Sequence, residues 1–209
     1  LLNKLLTGDL YLHDASHLTP YCLAIDCGKL LIDGMPYGNL KSNPPKHAST
    51  FINQIKELSV ELSNEQSGAV AFPTLILVYA YLLFKETNGI IDKQKEKQIK
   101  NDFQNFIYTI NKSMRGGVQS PFVNISFFDR YIYDELLTYV YNYLDVEKEQ
   151  FLKFLIELQE ILMRFLCNYD ATYGQVIRFP VMTANFIAKD KKILDEKFLD
   201  LVSECNKRG

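Results

Sequence analysis

The residues in this sequence that could carry chemistry are few and widely spaced. Cys22 lies in a short apolar stretch, Tyr21 to Ile25, behind Pro20, and a histidine and an aspartate precede it in Gly8-Asp-Leu-Tyr-Leu-His13-Asp14. A thiol in such a stretch is a small hydrophobe as readily as a reactive group. One His-Asp pair offers too few ligands for a metal and serves equally as a loop hydrogen-bond pair. The run Arg115-Gly-Gly-Val-Gln-Ser-Pro-Phe-Val-Asn124 crowds two glycines, a glutamine and a proline against an apolar segment. Glycines there permit close backbone approach to a ligand, and a tight helix-to-strand turn accounts for the same residues. Local catalytic signatures are absent: there is no G-x-G-x-x-G, no G-x4-G-K-[ST], no H-E-x-x-H and no G-x-S-x-G. Any chemistry must be assembled from distant segments.

The elements that would do the assembling belong to a globular chain. Of the 209 residues 47% are hydrophobic and 23% charged, enough to bury one substantial core. Lysine plus arginine total 23 against 25 acidic residues, a net charge of -2. That balance leaves no electrostatic footprint for long nucleic acid or an acidic membrane, while a single small anion remains within reach. No stretch approaches the roughly 20 apolar residues needed to span a bilayer; Leu75 to Phe84 is too short and carries two tyrosines. Four scattered cysteines, Cys22, Cys27, Cys167 and Cys205, make no disulfide framework, and a lone C-x4-C pair is poor zinc spacing. Free cysteines and the lack of an export signal point to the reducing cytoplasm. The chain starts at Leu1 without a methionine and stops at Gly209 directly after a helical pattern, so a piece of a longer protein is expected.

Along the chain, a strand over Tyr21 to Ile25 leads through glycines at 28, 34 and 38 to Pro44-Pro45. From Lys46, the positions Phe51, Ile55, Leu58 and Leu62 predict an amphipathic helix to about Glu65. Val70 to Lys85 is apolar almost all round and reads as a second helix, inside the protein or against a partner helix. Gln94 to Ser113 reads as a third. Phe122 to Phe127 is a buried strand, Tyr131 to Leu144 a tyrosine-rich helix, and Phe151, Leu155, Leu158, Leu162 and Phe165 form one helical stripe. Arg178 to Phe186 is a further strand around Pro180, and Ile193 to Asn206 a last amphipathic helix. Strands separated by long helices imply parallel pairing and an α/β architecture. With no repeat, low-complexity tract or linker, residues 1–209 read as a single domain.

Six segments in order carry a resemblance: GDLYLHD (Gly8 to Asp14), YCLAID (Tyr21 to Asp26), SNPPKHASTFINQI (Ser42 to Ile55), SNEQSGAVAFP (Ser63 to Pro73), RGGVQSPFVNISF (Arg115 to Phe127) and RFPVMTANF (Arg178 to Phe186). This succession resembles the N-terminal half of the catalytic barrel of anaerobic, glycyl-radical ribonucleoside-triphosphate reductases. The resemblance implies part of a ten-stranded α/β barrel, a helix-rich fragment whose thiyl-radical loop, glycyl radical and four-cysteine zinc site lie beyond Gly209. It implies reduction of ribonucleoside triphosphates to deoxyribonucleoside triphosphates. Cys22 matches the family cysteine on the first barrel strand, the proton donor to the departing 2′-hydroxyl, a role that suits a buried, protonated thiol.

The helices at Lys46 to Glu65 and Val70 to Lys85 resemble the layer that pairs across a homodimer and holds a dNTP or ATP effector. Within it Lys46 and Gln54 are effector-contact candidates, a lysine for phosphate and an amide for base or sugar; both also read as solvent-facing helix residues. A radical-SAM activase is the implied partner. The resemblance assigns no role to Cys27 or to Gly174-Gln175. Two other classes stay open: a non-catalytic nucleotide-binding and dimerisation module, and a glycyl-radical enzyme with another substrate.

Overall fold

The computed structural model describes residues 2–9, 20–37, 40–66, 68–114, 117, 119–140 and 144–208. His13 and Asp14, Gly38 and most of the Arg115 to Val118 turn lie outside the described residues. In chain order the elements are α1 (Leu2–Leu6), β1 (Leu23–Ala24), α2 (Gly28–Asp33), β2 (Met35–Tyr37), β3 (Leu40–Ser42), α3 (Ala48–Glu65), β4 (Ala69–Phe72), α4 (Leu75–Thr87), α5 (Lys93–Ile110), β5 (Phe122–Phe128), α6 (Arg130–Val140), α7 (Lys148–Cys167), α8 (Tyr169–Tyr173), β6 (Val181–Asn185), β7 (Ala188–Lys189), β8 (Lys192–Ile193) and α9 (Glu196–Asn206).

The main sheet has the order β1-β4-β5-β6, and every neighbouring pair is parallel. Each crossover carries helices, as parallel pairing demands: α2, a β2–β3 hairpin and α3 before β4, then α4 and α5 before β5, then α6, α7 and α8 before β6. The α/β class with parallel strands is therefore as the sequence predicts.

The two faces of the sheet differ in chemistry. Val70, Phe72, Val123, Ile125 and Phe127 are fully buried under the helices. In the alternate register Ala24, Ala71, Asn124 and Val181 line up across all four strands, with Ser126 beside Thr183 and Phe128 beside Asn185. Strand side chains alternate faces, so alanine, asparagine, serine and threonine share the second face with Val181 and Phe128; Ala24 and Thr183 are exposed there and Ser126 is buried.

One apolar run divides differently from its pattern. Val70 to Lys85 is not one helix: Ala69–Phe72 is a strand, Pro73-Thr74 a turn, and α4 starts at Leu75. Proline lacks the N–H that a helix interior needs and breaks the run where it sits. Helix α4 is indeed buried nearly all round, but α3, α7 and β5 cover it within this chain. Its apolar surface therefore needs no partner helix. It ends at Asn88, which is left-handed, followed by Gly89 at φ 78, a conformation that glycine adopts without strain.

The predicted stripe of α7 is entirely in the core, with Phe151, Leu155, Leu158 and Leu162 at 0% exposure. Burying each such side chain contributes about 1.5–3 kcal/mol. Phe84 of α4 packs edge-on against Phe151 and Phe154, which fixes α4 on α7. Helix α3 presents Phe51, Ile55, Ser59 and Ser63 at four-residue spacing toward the core. The buried serine hydroxyls donate to Ile55 and Val60 carbonyls of their own helix.

Candidate active site

Cys22 lies one residue before β1, at the edge of the sheet where all four parallel strands begin. The strand itself is only Leu23–Ala24, shorter than Tyr21 to Ile25, so Cys22 precedes it, and the thiol is exposed rather than buried. The expectation of a buried thiol is thus corrected: among the described residues nothing closes the face on which it sits. The Ala69 amide donates to its Sγ at 3.3 Å. Gly68, which precedes β4, comes so close that a Cβ there would lie 2.7 Å from the same sulfur.

The other strand starts gather at this edge. The turn before β5 has a neck in which Met114 N–H donates to Gln119 O at 2.6 Å, and Ser120 Oγ donates to Asn111 O at 3.3 Å. Asn111 in turn holds the approach to β6: its Nδ2 donates to Phe179 O, and its Oδ1 accepts from the amides of Arg178 and Phe179. Phe122 and Phe179 stack edge-on at 5.2 Å between the two strands. Farther along the open face, Asn124 Nδ2 donates to Thr183 Oγ1 at 2.7 Å. That leaves the threonine proton and the asparagine carbonyl oxygen for a ligand.

At the end of α3, Gln66 is 5% exposed and neither of its amide atoms has a hydrogen-bond partner among the described residues. Burying an amide in that state is costly. Ser63, one turn earlier, touches Met114 Sδ at 3.9 Å, which brings the end of α3 to the turn before β5.

The two effector candidates separate. Lys46 is exposed and lies in the bend before α3, which starts at Ala48. Gln54 is not solvent-facing: it is 5% exposed, and its Nε2 donates to Ser42 Oγ and Asn43 O, both at 2.8 Å. Its Oε1 has no partner. The apolar spacing of α3 identifies the core neighbours of this residue, Phe51 and Ile55, but an amide that pins the β3 end from the core face looks merely polar in the sequence.

The remaining thiols are buried. Cys27 is fully buried before α2, and desolvation pushes its thiol up to about 12, with a hydrogen bond from Thr74 acting the other way. Cys167 and Cys205 are buried where α7 meets α9, and burial raises Cys167, as does its neighbour Cys205. Among the described residues no group of three or more His, Cys, Asp or Glu could hold a metal ion, and no helix is long and apolar enough to cross a membrane. A cavity of about 430 Å³ lies at the opposite end of β5, between α7 and α9. Its Arg164 is already paired with Glu160 and Glu204, so it offers less unspent chemistry than the Cys22 edge.

Gly68, Gln66, Asn111, Thr183 and Asn185 escaped the sequence reading as individual residues. Only Gly68 had a local signal, a glycine directly before a short run of strand formers closed by Pro73.

The sequence model of the family described as anaerobic ribonucleoside-triphosphate reductase matches residues 2–208. The anaerobic ribonucleoside-triphosphate reductase of Salmonella typhimurium (strain LT2) is 24% identical over 140 residues, which cover 57% of this chain and 20% of that protein. The crystal structure of the anaerobic ribonucleotide reductase from Thermotoga maritima in complex with dATP and CTP superposes with a TM-score of 0.86 at 30% identity. It covers 99% of this chain, which spans 35% of that one. The same enzyme with dATP bound in the specificity site gives a TM-score of 0.77 at 29% identity, over 99% of this chain and 36% of that one. The chain thus spans about a fifth to a third of the relatives that it matches.

Proposed function

Because the chain belongs to the anaerobic ribonucleoside-triphosphate reductase family, we propose that it forms, as one domain, the N-terminal part of the catalytic barrel of such an enzyme and contributes Cys22 to the reaction. The intact protein would be an oxidoreductase that converts ribonucleoside triphosphates to deoxyribonucleoside triphosphates. The observation that carries this reading is an exposed thiol at the start of a parallel sheet, in the register that also carries Ala24, Asn124 and Thr183. That is the form expected of a barrel interior before its remaining strands close it.

In this reading Cys22 gives its proton to the 2′-hydroxyl as it leaves. Hydroxide departs poorly until a positioned acid protonates it. Asn124 and Thr183 orient the sugar from the same face, and the small side chains of Ala24 and Ala71 leave room for it. A glycyl radical and a zinc site in the rest of the intact enzyme would supply the hydrogen-atom chemistry and hold the radical domain. Lys46, exposed in the bend before α3, is the phosphate contact of a dNTP or ATP effector, whereas Gln54, buried on the core side of α3, holds the end of β3 and does not reach a ligand itself. The T. maritima enzyme, crystallised with dATP and CTP, supports nucleotides as the ligand class. A homodimer, a radical-SAM activase and a cytoplasmic setting complete the reading.

The test is Cys22→Ser in the full-length parent. Nucleotide reduction should be abolished while the glycyl radical still forms, as measured by paramagnetic resonance. Normal turnover by that variant would remove the proton-donor role.

A further inference from the structure

The geometry points to Gly68 and the backbone amide of Ala69 as the device that sets the Cys22 thiol and stabilises its sulfur once the proton has gone. This rests on the reading of Cys22 as proton donor. Two independent observations carry it. A Cβ on Gly68 would fall 2.1 Å from the Tyr21 carbonyl oxygen and 2.7 Å from Cys22 Sγ, closer than real Cβ atoms come. The missing side chain is therefore what lets the start of β4 lie against the backbone that bears the thiol. One residue on, the Ala69 amide donates to Sγ at 3.3 Å.

The ladder gives that donor its direction. Ile25 donates to Ala71 O at 2.9 Å, so Ala71 turns its backbone groups toward β1. Ala69, two residues earlier, presents its amide to the same side. It continues the line of the β1–β4 pairing with sulfur as the acceptor.

The chemical consequence follows from charge. In the proposed step the S–H bond breaks, its proton passes to the 2′-oxygen, and its electron pair stays on sulfur. The carbon–oxygen pair leaves with the oxygen, which departs as water. The sugar, already a radical at C3′ after losing its 3′-hydrogen to the thiyl, makes up the deficit by giving its 3′-hydroxyl proton to a carboxylate base and becoming a 3′-ketone with the radical at C2′. An N–H aimed at the sulfur bonds weakly to a neutral thiol and more strongly to the anion that replaces it. Stabilisation that grows toward the transition state raises kcat and leaves substrate binding unchanged. The Ala69 amide touches the reacting atom and is catalytic in that sense. Gly68 acts through Cys22 and is a positioning residue.

The test uses the full-length reductase, with Ala69 exchanged for lactic acid so that an ester replaces the amide and nothing else changes. The expected result is a kcat lower by about 10- to 100-fold, the worth of one hydrogen bond to a charged group. The KM for ribonucleotide and the glycyl-radical signal should stay as in the parent. In the unactivated enzyme iodoacetamide should alkylate Cys22 more slowly in the ester form. Gly68→Ala should shift turnover and alkylation in the same direction.

An ester variant with the parent's kcat, or with the parent's alkylation rate, overturns the proposal. Where activation fails, alkylation alone decides. A Cys22→Ser enzyme that turns over normally sinks the functional reading and this inference together. An inactive Cys22→Ser enzyme beside a fully active ester sinks this inference only.

Discussion

Asn111 and Phe179 stand 68 positions apart and are joined through both ends of one amide: Nδ2 donates to the Phe179 carbonyl oxygen at 2.7 Å, and Oδ1 accepts from the Phe179 amide at 3.2 Å. The same Oδ1 accepts from Arg178. The end of α5 and the approach to β6 therefore move as one. Asn111→Ala should cost about 2 kcal/mol, because it leaves several backbone groups without partners. Hydrogen exchange should show the loss confined to residues 174–180 and the turn before β5; protection unchanged there would deny the clamp.

Gln159 makes the opposite end of β5 rigid. From α7 it accepts from Phe128 N–H and Tyr133 O–H and donates to Phe128 O, at 3% exposure. Gln159→Leu should destabilise the chain by about 3 kcal/mol in urea, since buried partners are left unpaired. Adding Tyr133→Phe should then cost less than it does alone. Additive losses would mean that the hydroxyl and the amide are not coupled.

Gln66 predicts the reverse sign. Among the described residues its buried amide has no partner to lose, so Gln66→Met, of similar length, should raise the unfolding free energy of this chain by about 1 kcal/mol and move its urea midpoint upward. A lower midpoint would show that the amide is paired in solution.

Acid should loosen α9 from α7. Glu204 is held below its ordinary value of 4.5, first by its hydrogen bond to Arg164. Such a carboxylate contributes stability that is present above the unfolded value and lost as pH falls through the folded one. Exchange of α9 amides should therefore accelerate relative to α5 as pH falls below about 4.5, and Arg164→Met should flatten the difference. The same acid response in the variant would assign it elsewhere.

Elements with a single period were legible in the sequence. The stripe from Phe151 to Phe165 became α7, Phe51 to Leu62 lies in α3, and Phe122 to Phe127 is the body of β5. Parallel pairing followed from the long helices between strands. The failures are short elements with no room for a period. β4 is four residues long and alternates alanine with Val70 and Phe72, so it merged into the apolar run of α4. The hairpins β2–β3 and β7–β8 and the short α2 were not foreseen, because three or fewer strand residues, or six helical ones, carry little pattern.

For the site, a strand next to Cys22 was legible, but it begins one residue later, at Leu23, and the exposure of the thiol was not legible, because exposure depends on what covers a face. The burial of Gln54 was hidden for a related reason. A polar residue on the core side of α3 is satisfied by Ser42 and Asn43, eleven or twelve positions away.

Every strand of the main sheet pairs with the strand that came just before it among the four, since their spatial order repeats their order along the chain. A polypeptide leaving the ribosome can lay them down one after another, each new strand finding its neighbour already synthesised. Among the described strands no finished pair has to reopen to admit a latecomer.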